Sequence, residues 1–216
     1  MTDSTSEDSQ PIHDRSIGDY LDALGSSQPA PGGGSVAGLM GALAAALGQM
    51  VISLSANDQE ASAALGTAFA DLGTSRGALL AGSEADERAY GGYIQATKLP
   101  KASDEERSAR REAMQSALRR SAEAPIGIAA SALDVLRFLE PVAGHGSRHA
   151  LSDVEIAISL AHGAVRAGLV NVRVNVRMIK DSRAASSLGS KADEIEERAS
   201  EQADRCLQEL RERRDD

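Results

Sequence analysis

Residues able to do chemistry fall in three places along the chain. The first is the turn Pro29-Ala30-Pro31-Gly32-Gly33-Gly34-Ser35, which opens onto an uncharged stretch running to Ala56. The prolines stop any earlier helix, and Ser35 stands where an N-cap belongs, so a helix is expected to begin there. A glycine-rich turn feeding a helix N-terminus offers free N–H groups and the positive end of the helix dipole, a setting for a phosphate or carboxylate. The alternative is a plain tight turn. It lacks the Gly-Lys-Ser/Thr of a nucleotide loop, and no strand precedes it as in a dinucleotide fold. The second place is Ser83–Pro100, SEADERAYGGYIQATKLP, with Asp86 and Lys98. Spacing alone reads Asp86 as the third residue of a capping box with Ser83, and Lys98 as compensation for the dipole at a helix C-terminus. The third is Ser152–Lys180, where Asp153, Asn171 and Asn175 share one helical face amid Val, Ile, Leu, Ala and Gly. For Asp153 a cap is again the plain reading, since Ser152 to Glu155 has the capping-box pattern. The two asparagines either tie neighbouring helices together or face a polar ligand.

The elements that must hold these residues read as helices throughout. From Ser35 to Ala56 no residue is charged, and Gly34, Gly38, Gly41, Ala45 and Gly48 recur every three or four residues. Glycine inside a helix costs about 1 kcal/mol against alanine, so such a ridge implies that another backbone comes close. The stretch is long enough to span a bilayer. Its Ala/Gly composition, Gln49 and the absence of nearby Lys or Arg favour instead the buried central helix of a bundle. Ile17, Tyr20, Leu21 and Leu24 predict a short amphipathic helix ended by Gly25, and an Ala-rich helix is expected over about 59–80. Ser103 and Glu106 predict a capped helix reaching about Phe138, kinked near Ala124 by Pro125. In the 152–180 helix, Glu155, Ser159, His162, Arg166, Arg173, Arg177 and Lys180 form the expected solvent sector. The domain reading is a disordered tail over 1–14, a helical domain over 15–181, a linker over 182–190 and an amphipathic C-terminal helix over 191–216.

Composition narrows the function classes. In 216 residues, hydrophobic residues make up 42% and aromatics 2%, so the core must come from closely approached helices rather than rings, and an all-α fold is expected. A net charge of −9 with no basic tract argues against nucleic acid. The single cysteine, Cys206, excludes an internal disulfide, and neither it nor loop residues His145 and His149 has the neighbours of a metal site. An acidic N-terminus without an apolar core points to the cytoplasm.

Taken together, Pro31-Gly32-Gly33-Gly34-Ser35 with its Ala/Gly helix, Asp86-x-x-Ala89-Tyr90 to Lys98-Leu99-Pro100, Ser152-Asp153, and Asn171-Val172-Arg173-Val174-Asn175 resemble the cyclodeaminase/cyclohydrolase family. The likeness covers about Ile17 to Asp181; relatives usually carry Phe where this chain has Tyr90. The resemblance implies an antiparallel, all-α helical bundle around the Gly/Ala-rich helix. It implies a homodimer, with folate bound near the subunit interface. It also implies one-carbon chemistry at the N5/N10 bridge of tetrahydrofolate. One reaction closes 5-formiminotetrahydrofolate to the 5,10-methenyl form with loss of ammonia, and the other adds water to the methenyl form to give 10-formyltetrahydrofolate. On this basis Asp153, Asp86 and Lys98 are the expected catalytic residues. Gly32, Gly33, Gly34, Ser35, Ser152, Asn171 and Asn175 are expected to bind substrate, the glycine turn taking the folate carboxylates. No metal and no cofactor beyond the folate is implied, nor a nucleic-acid or membrane partner. A scaffold of the same kind that binds folate or a protein without catalysis is the alternative.

Overall fold

The computed structural model describes residues 10–56 and 59–215. Within them the chain forms seven helices: α1 (Ile17–Leu24), α2 (Gly33–Leu54), α3 (Gln59–Leu65), α4 (Ala68–Lys98), α5 (Asp104–His145), α6 (Leu151–Val176) and α7 (Ser182–Asp215). The long helices α4 to α7 follow one another through short connections and pack as neighbours, so the bundle is antiparallel. Helix α2 lies against α4, α5 and α6.

The glycine ridge explains this packing. A Cβ on Gly38 would overlap the Ser83 hydroxyl and come within 2.7 Å of the Leu79 carbonyl, and one on Gly41 would come within 2.8 Å of a Leu79 methyl. At Gly48 it would meet Leu139 at 2.7 Å and Leu72 at 2.8 Å. The ridge is therefore filled by α4 and α5 of the same chain. The core above it is built from small and medium side chains, among them Ala37, Ala44, Ala45, Leu72, Leu79, Leu136, Leu139, Ile158 and Leu169.

Several boundaries differ from the expectation, each for a local reason. Residues 1–9 of the expected tail, and the Asn57-Asp58 break, lie outside the described residues. Within 10–14, Ile12 is buried and its amide donates to the Glu84 carboxylate at 3.1 Å, so this end of the tail is held on α4. The expected 59–80 helix divides at Gly66, whose φ of +44° is the left-handed conformation that suits glycine. The helix also does not end near residue 80 as expected but runs on through Ala81-Gly82. Gly82 is there because Ile128 approaches to within 2.9 Å of where its Cβ would sit, and Ser83 is buried within α4 rather than capping it. Helix α2 begins at Gly33 with Gly32 as its N-cap, which places Ser35 inside the first turn.

Ser103 and Glu106 do form the capping box of α5, but α5 continues through Pro125 and Pro141 to His145. Helix α6 starts after Ala150 with no side-chain cap, so Ser152 and Asp153 are first-turn residues and not caps. Residues 182–190 are helix, not linker. The Asp181 carboxylate accepts the amides of Arg183 and Ala184 at 3.1 Å, and Ala184, Ala185 and Leu188 pack against Leu118, Ala122 and Ile179.

Helix α7 also reassigns the exposed face of α6. Arg173 reaches Glu196 and Asp193, and Arg214 pairs with Glu155 at 2.6 Å, so part of the expected solvent sector lies beneath α7. Beside the exposed Ser152, Ser159 and Arg166, α6 also leaves apolar side chains outward: Ile156 is 51% exposed, Val170 58% and Val174 53%. Leu43, Met50 and Leu54 on the adjoining α2 are exposed as well. Helix α1 buries only Tyr20, leaving Ile17 and Leu21 out.

Candidate active site

A cavity of about 300 Å³ opens where the N-terminus of α2 meets the middle of α4 and the C-terminal end of α6. Pro29, Ala30, Gly32, Gly33 and Gly34 form one wall; Asp86, Glu87, Tyr90 and Tyr93 a second; Leu118 and Ser121 of α5 a third; and Asn171, Val174, Asn175 and Met178 a fourth. Helical spacing accounts for the α4 wall, because 86, 90 and 93 are i, i+4 and i+7 on one face.

Asp86 is the chemical centre of this cavity. Its carboxylate lies directly against Gly34, where any Cβ would overlap it, so the glycine is required by the close approach. Burial pushes the carboxyl up to about 6, with the neighbouring Glu87 charge contributing in the same direction. The first intrahelical bond of α2 runs from the Val36 amide to the Gly32 carbonyl at 3.0 Å, leaving the amides of Gly33, Gly34 and Ser35 without intrahelical acceptors. The anion beside that helix end is Asp86 itself. With Glu87 in the same wall, this is a poor setting for a ligand carboxylate and a good one for a cationic carbon.

Glu87 is buried and held from three elements. Arg15 grips it with both terminal guanidinium nitrogens, at 2.9 and 3.4 Å. The Ser35 hydroxyl donates to it at 2.8 Å. Having given its proton to Glu87, Ser35 Oγ can only accept from the Tyr20 hydroxyl 3.1 Å away. The Ser35 carbonyl in turn accepts from Ser83 Oγ at 3.0 Å. Ser35, fully buried, therefore supports the wall from behind.

Both asparagines reach the cavity. Asn175 Nδ2 donates to the Ser121 carbonyl at 2.7 Å, so it ties α6 to α5 and lines the cavity at once. Asn171 makes only a long bond of 3.4 Å to the Ala167 carbonyl on its own helix, and its amide faces Gly33. Among the described residues the buried Ser121 hydroxyl has no hydrogen-bond partner, and its residue lines the cavity.

The other expected residues lie elsewhere. Asp153 is 18 residues from Asn171 along α6 and so, although on the same face, roughly 27 Å away. Ser152 is exposed and lines a shallow groove with Glu155, Ile156, Ser159 and Leu160 at that far end. Lys98 occupies the last turn of α4, exposed and about 18 Å along the helix from Asp86. Glu87, Tyr93 and Ser121 were not singled out from the sequence. Helical spacing from Asp86 could have found Tyr93; for Ser121 only the packing of α5 on α6 brings it in.

The family model for formiminotransferase-cyclodeaminase matches residues 16–194. A formimidoyltransferase-cyclodeaminase from Gallus gallus is 33% identical over 170 residues, 77% of this chain; the chain spans only 31% of that relative's length. A methenyltetrahydrofolate cyclohydrolase from Methylorubrum extorquens is 33% identical over 165 residues, covering 75% of this chain and 79% of the relative. The crystal structure of formiminotetrahydrofolate cyclodeaminase from Thermotoga maritima has the same fold, with a TM-score of 0.82 at 24% identity over 93% of this chain and 98% of that one. The all-helical bundle and the sequence match over most of its length agree, and the chain belongs to the formiminotransferase-cyclodeaminase family.

Proposed function

We propose that the protein is an enzyme of folate one-carbon chemistry acting at the N5/N10 bridge of tetrahydrofolate. It opens 5,10-methenyltetrahydrofolate with water, closes 5-formiminotetrahydrofolate with loss of ammonia, or does both. The observation that carries this reading is the partly buried Asp86 carboxyl, raised to about 6 and set against the α2 N-terminus in a cavity shared with two asparagines and two tyrosines.

In the hydrolytic direction the methenyl carbon is cationic, and the acidic wall attracts it. Asp86 takes a proton from water as its oxygen bonds to that carbon, and releases the proton to solvent. Asp86 then accepts the hydroxyl proton of the adduct and returns it to N5 as the carbon–N5 bond breaks, leaving the formyl group on N10. In the deaminating direction N10 adds to the carbon of the protonated, cationic formimino group, and Asp86 carries the N10 proton to the resulting amino group, which leaves as ammonia and returns the positive charge to the methenyl bridge. A carboxyl near 6 is matched to both halves of such a relay at neutral pH. Both reactions are additions and eliminations at a carbon activated by its own nitrogens, so neither calls for a metal or redox group. Gly32, Gly33 and Gly34 admit the bridge close to the backbone, Asn171, Asn175 and Ser121 supply polar contacts to the pterin edge, and the tyrosine rings with Leu118, Val174 and Met178 cover its faces.

Two copies of the chain complete the proposal. The apolar stripe of Ile156, Val170 and Val174 beside Leu43, Met50 and Leu54 supports a homodimer, as folded chains rarely leave such a face uncovered. In an antiparallel pair of α6 helices with the two-fold near Gly163, positions ten before and ten after it face each other. That sets the partner's Asp153 beside the Asn171–Asn175 end. On this reading Ser152 and Asp153 serve the neighbouring site, Lys98 is left to the dipole, and the enzyme works in the cytoplasm.

The test is direct. Purified protein incubated with methenyltetrahydrofolate is expected to abolish its near-ultraviolet absorbance, and Asp86→Asn to lose about 100-fold or more of that rate while still binding folate. Full turnover by Asp86→Asn would overturn the assignment.

A further inference from the structure

The buried carboxylate next to Asp86 has no part in the proton relay, yet the chain surrounds it with more partners than any other acid in the cavity. Glu87 takes two bonds from Arg15 and one from Ser35, and both members of the ion pair are nearly enclosed, with 12% and 8% of their side chains exposed. Arg15 comes from the segment before α1, one residue outside the matched family region. That segment is fixed in place by the Arg15 Nε bond to the Gln10 carbonyl at 2.7 Å and by the Ile12 amide on Glu84.

The charges facing Asp86 and Glu87 can be taken element by element. Helix α2 contains no titratable residue, and α5 and α6 present Leu118, Ser121, Asn171, Val174, Asn175 and Met178 to the cavity. From α1 comes Tyr20, whose phenol burial keeps protonated. Helix α4 itself supplies Tyr90 and Tyr93 to the cavity, and beyond its rim Glu84, which pairs with Arg88 at 3.6 Å. Among the described residues no Lys, Arg or His lines the cavity. Arg15 is therefore the cation that answers Glu87, and the pair leaves a net charge of one carboxylate against a cationic substrate carbon.

We infer that Arg15 and Glu87 are positioning residues for the one-carbon reaction: Glu87 is an anion fixed in the cavity wall beside Asp86, where it adds to burial in favouring the protonated carboxyl, and Arg15, bonded to Glu87, offsets part of that charge. The inference rests on the reading of Asp86 as the proton carrier. Charge removal at the two positions must then act in opposite directions. Glu87→Gln removes the anion and leaves the Arg15 cation, so Asp86 ionises at lower pH. Arg15→Gln leaves Glu87 unanswered, so Asp86 ionises at higher pH.

The experiment follows Asp86 by carbon-13 NMR of labelled aspartate carboxyls, assigned by difference from Asp86→Asn, alongside the pH profile of kcat/KM. The titration midpoint and the acid limb are both expected to fall by about half a pH unit or more in Glu87→Gln and to rise by a similar amount in Arg15→Gln. The double variant is expected to lie between them, and Arg15→Lys to stay near the wild type. Glu87→Gln keeps the size of the side chain and its acceptor for Ser35, so it decides the matter even where Arg15→Gln fails to fold. Unmoved midpoints in folded Glu87→Gln overturn the inference and reduce the pair to an anchor for the N-terminal segment. A moving NMR midpoint with wild-type turnover in Asp86→Asn would instead sustain the electrostatic pair and remove Asp86 from the reaction.

Discussion

At the scale of residues, the cavity spends stability on chemistry at one position. Asp86 is raised to about 6, above the usual carboxylate value, so its neutral form is the one the fold favours. A group shifted this way stabilises the fold fully below its unfolded value near 4, and that contribution is lost as pH rises through about 6. Asp86→Asn, which never ionises, is therefore expected to be more stable than wild type at pH 8, by about 1–2 kcal/mol after allowing for the solvent that reaches the cavity. The gain should shrink to nothing near pH 4. Urea unfolding of both proteins at the two pH values checks it, and equal stability at pH 8 would mean that the carboxyl is not desolvated. Cys206 offers a contrast: burial pushes its thiol up to about 11, and it sits in the core donating to the Leu136 carbonyl at 3.4 Å.

How much of this site could be read from the sequence depends on where each residue gets its neighbours. The glycine turn and the two asparagines stood out because their types conflict with their surroundings, glycines opening a helix and amides in a valine strip, whereas Asp86 read as a cap by spacing and entered through the family resemblance. Ser121 gave no such sign, since serine in an Ala-rich helix is unremarkable until α5 is laid against α6. Asp153 shows what a shared face leaves out. Periodicity reports the angle around a helix and says nothing of position along it, so a shared face was compatible with a separation of about 27 Å.

At the scale of elements, the central relation is between α2 and α4, and here the sequence foresaw the close approach but not its partner. Gly38 and Gly41 have the same type and neighbouring places on the ridge, yet they meet different atoms. Beyond Gly38 stands the Leu79 backbone carbonyl, which cannot withdraw, whereas beyond Gly41 is the end of the Leu79 side chain, which can. Alanine gains about 1 kcal/mol over glycine in a helix interior, and overpacking costs about 1–3 kcal/mol. Gly41→Ala should therefore be close to neutral and Gly38→Ala destabilising by about 1–2 kcal/mol. Thermal melts of the two variants compare them; equal melting points would show that α4 yields as a whole. The same logic accounts for two misread boundaries. The helix expected to stop near 80 runs on through Gly82, which is a contact with Ile128, and Ser-Arg-Ala-Ala-Ser-Ser-Leu-Gly-Ser resembled a linker but is helix because Asp181 caps it and its alanines pack on α5 and α6.

At the scale of the whole molecule, the glycine ridge is consumed within the chain, and what supports a dimer is the outward stripe on α2 and α6. A charge in the middle of that stripe, Val170→Glu, is expected to shift the protein from dimer to monomer in sedimentation equilibrium at micromolar concentration. A wild type that sediments as a monomer would end the dimer reading. The same arrangement puts the proposed role of Asp153 to a test. If it serves the site of the neighbouring copy, Asp86→Asn and Asp153→Asn are each nearly inactive alone, but mixed after dissociation and reassembly they form heterodimers in which one of the two sites has both carboxylates. Half of a randomly paired population is heterodimeric, so about a quarter of wild-type turnover should return. If Asp153 acts on its own chain, or on none, mixing adds nothing beyond the mean of the two variants. Complementation of this kind needs no structure of the complex, because activity can return only if the two carboxylates are contributed by different chains.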